Sequence, residues 1–153
     1  PRQSRAMKGV VWLAVACEAF VAPRIATPAR VRVVASLPAG ALSFIEAVRG
    51  GEPVSIEATL AMVESNFRCT PVRFAVGDVV NEAGQNQGSA KILSLSTLAG
   101  LDLETTLSLF GDAYSDVVDD PDGDGHQNIR ALLRSGLEAV DFPDGLAVSP
   151  RES

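Results

Sequence analysis

Apolar positions along this chain repeat with two different periods, and the switch between them sets the expected elements. Leu37, Leu42, Ile45 and Val48 fall at helical spacing, and Gly50 and Gly51 stop the run. Ser55 is a fitting N-cap for a second helix whose stripe is Ile56, Leu60, Val63 and Phe67, with Glu57 at the positive end of its dipole. The stretch FRCTPVRFAVGDVV then turns β-favouring, with Gly77-Asp78 as a turn signal before Val79 and Val80. Pro71 excludes a central strand position, so the stretch predicts one short edge hairpin lying against the helices.

Helical spacing returns at Ile92, Leu95 and Leu98 and ends at Gly100. Leu103, Leu107, Leu109 and Phe110 define the next helix, with Gly111 inside it or ending it and Tyr114 and Val117 carrying the apolar side on. A final helix opens near Gln127 and runs through Ile129, Leu132 and Leu133 to Gly136. An extended piece follows in GLEAVDFPDG, and residues 147–153 are expected to fray. The fold class is therefore α+β and predominantly α-helical: about five helices with one short β-hairpin, in a single domain over residues 36–146.

Composition agrees. Hydrophobic residues make up 46% and charged residues 21%, which suits a packed globular core, and the 5% of aromatics leaves that core mainly aliphatic. The formal charge of -6 is unevenly spread. Residues 1–35 hold six basic groups against Glu18 alone, and the remainder holds seven basic against eighteen acidic groups. An acidic body repels phosphate backbones and anionic lipid, so neither nucleic acid nor a membrane surface is an expected partner of the processed chain.

The basic segment reads as a targeting sequence. Met7 and Lys8 precede the apolar run from Gly9 to Ala16, then small residues to Ala19, and the acid-free, Arg-rich stretch from Phe20 onward has transit-peptide composition. The junction Phe20, Val21, Ala22, Pro23 resembles the bipartite plastid presequence of algae with secondary plastids. That resemblance implies removal of residues 1–35 and a plastid destination, with the secretory pathway or cytoplasm as the alternative. An ordinary N-terminal helix using Val10 to Val15 is the structural alternative.

Two polar runs cannot be explained by burial of hydrocarbon. One is DVVNEAGQNQGSAK, holding Asn81, Gln85, Asn86, Ser89 and Lys91; the other is DGDGHQNIR, holding His126, Gln127 and Asn128. Each directly precedes a helical stretch, so the eight residues form one candidate ligand-binding set. FRCTPVRF, NEAGQNQGSAK, TLSLFGDAYSDVV and DGHQNIRALLRSG, in that order and spacing, resemble the HopJ type III effector protein family over roughly residues 41–142. That family takes its name from a protein that plant-pathogenic bacteria inject into host cells. The resemblance implies a HopJ-like domain without implying a particular chemistry. Ala90 stands where the family has a cysteine after its Gly-Ser pair, which removes a thiol from that motif. Ala113 and Tyr114 reduce the family's aromatic pair, and Gly125 replaces its acid before the histidine.

Three chemistries fit the polar runs. Asp120, Asp122, Asp124, Gly125 and Asn128 copy the first, third, fifth, sixth and ninth places of a calcium loop, but Ala131 stands where the bidentate acid belongs. Helix-start amides near Gly88 and Ser89, with Lys91, could cradle an anion. His126 could move a proton, oriented by Asp124 or Asn128. One histidine and the lone body cysteine, Cys69, do not make a zinc site, and the GxSxG, HExxH and CxxC patterns are missing, so no metal or cofactor is expected. The remaining alternative is a structural network of amides. The expected partner is an unidentified protein or a small polar ligand; a binding or interaction module is the first reading, and an enzyme using the same polar site is the second.

Overall fold

A computed structural model describes residues 37–151. Helix α1 (Ala39–Arg49) buries Ala41, Ile45 and Val48, and α2 (Ile56–Asn66) buries Met62 and Val63. Ser55 caps α2 as expected, its hydroxyl accepting the Ala58 N–H at 3.1 Å. Strand β1 (Phe67–Cys69) continues directly from α2. The hairpin follows it: β2 (Phe74–Val76) pairs antiparallel with β3 (Val79–Asn81) across the two-residue turn Gly77-Asp78.

Helix α3 (Gln87–Ala99) is the central element, with every residue from Ile92 to Ser96 buried. It ends at Gly100, whose φ of 65° turns the chain so that the Leu101 N–H reaches the Ser96 carbonyl. Helix α4 (Leu103–Leu109) is capped by Asp102, which accepts the Thr105 N–H at 2.8 Å. Helices α5 (Asp112–Asp119) and α6 (Gln127–Ser135) follow, then a short 3-10 turn, β4 (Val140–Asp141) and β5 (Val148–Pro150).

The described residues thus hold six α-helices. The additional one arises because the helical stretch from Leu103 breaks at Gly111, and the reason is long-range. Gly111 has φ 57° and lies against the backbone of Val54 and Ser55, where a methyl group would run into the Val54 carbonyl oxygen. The chain cannot both hold that approach and continue as a helix.

Two strand expectations change. The hairpin is confined to Phe74–Asn81, and β1 instead pairs antiparallel with β5, Phe67 opposite Pro150. The end of the chain, expected to fray from 147, is held through residue 151: Ala147 and Val148 are buried, the Ala147 N–H reaches Ser94 Oγ at 2.8 Å, and Arg151 donates to the carbonyls of Phe67 and Glu64. Strand β2 lies between β3 and β4, so the small sheet has three strands. The proposed targeting segment, residues 1–35, lies outside the described residues.

A polar cleft between two left-handed helix starts

Among the described residues only two non-glycine residues have positive φ, Asn86 at 47° and His126 at 54°. Each directly precedes a helix, α3 and α6 respectively, and neither helix receives a side-chain cap bond at its start. A left-handed backbone costs a non-glycine residue roughly 1–2 kcal/mol, so the surroundings must hold both in place.

For Asn86 the hold is a buried amide network. Asn81 and Asn128 exchange two hydrogen bonds, Asn81 Nδ2 to Asn128 Oδ1 at 2.9 Å and Asn128 Nδ2 to Asn81 Oδ1 at 3.1 Å. Asn86 Nδ2 adds a third, to Asn81 Oδ1 at 2.6 Å. Asn81 is 1% exposed and Asn128 5%, so the pair ties β3 to the first turn of α6 inside the protein. Losing one member would strand the other's amide without water, which is the costly case for a buried polar group.

For His126 the hold is Arg130, which sequence reasoning missed. Its buried guanidinium donates to three carbonyls of the preceding loop: Gly125 at 2.6 Å, Pro121 at 2.9 Å and Asp120 at 2.7 Å. The positive group gathered in by the calcium-like loop is therefore an arginine of the helix that the loop introduces. The signal was present in the sequence, as one arginine in the otherwise apolar run of Ile129, Ala131 and Leu132.

The two helix starts open on one cleft of about 280 Å³, bordered by Asn86 and Ser89 on one side, His126, Gln127 and Asn128 on the other, and floored by Phe110 and Ala113. First-turn amides of a helix have no partner within it, and the helix dipole makes this end positive. His126 Nε2 lies 3.4 Å from Asp116 Oδ2 at the edge, and its side chain is 41% exposed. Ser89 takes no part in the amide network.

The remaining predicted residues are engaged elsewhere. Gln85 Oε1 accepts the Glu82 N–H at 2.9 Å, which closes the turn before α3. Gln127 donates to the Asp124 carbonyl while still bordering the cleft. Lys91 points to α2, where its ammonium lies 2.7 Å from Glu64; the bond and the charge of Lys91 hold the Glu64 carboxyl below its ordinary value. Lys91 and Gln85 are not among the residues bordering the cleft, so the anion cradle expected around Lys91 gains no lysine. Burial pushes the Cys69 thiol up, away from the thiolate a nucleophile needs. No three His, Cys, Asp or Glu side chains converge as metal ligands among the described residues, and none of the described helices is long and apolar enough to cross a membrane.

Comparison with curated proteins gives no match. The chain is similar to the crystal structure of VPA0580, a protein of unknown function, with 31% identity and a TM-score of 0.69 over 83% of this chain and 100% of that one. The model of the HopJ type III effector protein family matches residues 42–146, a span that contains all four motifs. The chain belongs to the HopJ type III effector protein family.

Proposed function

We propose that this protein is a small binding module that holds a polar ligand carrying an oxyanion, a carboxylate or phosphate, in the cleft between the starts of α3 and α6. One observation carries the reading. Two helix starts, each without a side-chain cap, face one concave space that also presents His126 and Ser89. Backbone amides at a helix start favour an anion, and the imidazole ring and the Ser89 hydroxyl bring further hydrogen-bonding groups to the same space. The amides of Asn81 and Asn128 satisfy one another, so they shape the cleft and leave recognition to its rim.

The test is a titration of the protein with sodium acetate and with inorganic phosphate, followed by amide NMR. Saturable shifts confined to Gly88, Ser89, Gln127 and Asn128, weakened in His126→Ala, are the expected result. Shifts scattered over the surface, or none at millimolar anion, would sink the reading. The enzyme alternative draws on the contact between His126 and Asp116, since a carboxylate beside an imidazole suits a general base. Turnover of a bound ester or phosphoester that disappears in His126→Ala would favour it. We further infer that residues 1–35 are a removable targeting segment. Fusing them to a fluorescent protein in an alga with a secondary plastid tests this, and cytosolic fluorescence would overturn it.

A further inference from the structure

A second, larger groove of about 460 Å³ is bordered by residues of α5, of α6 and of the loop between them. Gln127 borders both the groove and the cleft, and Asp116, which lies 3.4 Å from His126, is the chain neighbour of Val117 in the groove. Two of the three exposed large hydrophobic residues among those described, Val118 at 57% and Leu133 at 43%, border this groove. Both charged residues bordering it are arginines, Arg130 and Arg134, in a body whose seven basic groups face eighteen acidic ones. Arg134 is half-exposed and held only by a 3.8 Å contact with the exposed Asp78. The acids of α5, Asp112, Asp116 and Asp119, are not among the bordering residues.

From this juxtaposition we infer that the occupant is an acidic, aliphatic peptide segment of a partner protein, with one carboxylate seated in the His126 cleft and its aliphatic side chains along Val118 and Leu133. The inference rests on the oxyanion reading of the cleft. A shallow groove with half-exposed walls suits a peptide better than a free small molecule, because small-ligand sites enclose most of their ligand. Arg130 is buried and spent on the loop carbonyls, so the exposed Arg134 is the cation that, beside the aliphatic anchors, gives such a peptide both burial and charge complementarity.

The experiment is fluorescence anisotropy of the full chain with three labelled hexapeptides with free carboxyl termini: one alternating Leu and Asp, one with Lys replacing Asp, and one with Ser replacing Leu. Saturable binding of the first alone is expected, weakened about tenfold or more by Leu133→Asp or Arg134→Glu, the scale of one interface anchor. Acetate binding in the cleft, followed by NMR, should survive both substitutions, because neither residue borders the cleft. Peptide binding unchanged in both variants, or equal binding of the Ser peptide, overturns the groove inference while leaving the cleft reading intact. Loss of acetate and peptide binding together in His126→Ala, with wild-type stability, supports the joined site. Absence of acetate binding in the wild type removes the foundation of both.

Discussion

The turn before α3 and the turn before α6 meet the same backbone demand with different materials. Both enter a helix through a non-glycine residue with positive φ. The first is fixed by neutral amides, Gln85 closing on the Glu82 N–H and Asn86 bonding inward to Asn81. The second is fixed by a charge, the Arg130 guanidinium drawing three loop carbonyls around itself. Asn86 is thereby anchored to the buried network, whereas the His126 side chain lies 3.4 Å from Asp116 at the rim. The difference teaches that a strained helix start can be held from outside the strained residue. In the second turn this leaves the residue's own side chain free for a ligand.

Arg130→Met should break the comparison most strongly. It removes three charge-assisted bonds at once, and a loss of about 3 kcal/mol or more in urea unfolding is expected, given the cost of stranding buried carbonyls. Arg130→Lys should recover little of it, because an ammonium lacks the planar fork. A loss below about 1 kcal/mol would mean the loop holds its own shape.

Asn128→Ala tests the neutral side and should cost about 2 kcal/mol by stranding Asn81. A double-mutant cycle with Asn81→Ala should show the second substitution costing much less than the first. Strict additivity would contradict a mutual pair.

Glycine substitutions separate the two starts more finely. His126→Gly relieves the left-handed strain and loses no network bond, so the protein should become more stable by up to about 1 kcal/mol while its acetate response fades. Asn86→Gly gains the same relief but loses the bond to Asn81, so its melting temperature should stay level or fall. Equal shifts for the two would erase the distinction.

Helix α4 supplies the smallest effect and serves as a control, since its start has an ordinary side-chain cap. The Thr105 hydrogen bonds hold the Asp102 carboxyl below its ordinary value of 3.8. A depressed folded pKa means the contribution is complete above the unfolded value and disappears as pH falls through the folded one. Asp102→Ala should therefore cost about 0.5–1 kcal/mol at pH 7, the range for an exposed cap. The wild-type and variant stability curves should converge below pH 3.8. Parallel curves across that range would show that the carboxylate is not what caps the helix.

Most helices were legible because their signals are local. The stripes ending at Gly50, Gly100 and Gly136, the Ser55 cap and the Gly77-Asp78 turn each need only a few neighbouring residues. What escaped depends on partners far along the chain. The break at Gly111 answers to Val54 and Ser55, and the strand at Val148 answers to Cys69. The candidate site was legible as two polar runs, but the distribution of roles was not. A run of Asn, Gln, His and Lys does not reveal which members face one another; the pairing of Lys91 with Glu64 and of Asn81 with Asn128 appears only once α2, β3 and α6 are placed.

The pairing of β1 with β5 has a kinetic consequence. Phe67 and Pro150 can meet only after the intervening helices have been brought into order, because closing so long a loop is entropically costly until other contacts have shortened it. The two-stranded sheet is thus expected to form late, downstream of the rate-limiting barrier. Substitutions in β5 should then accelerate unfolding and leave the folding rate almost untouched.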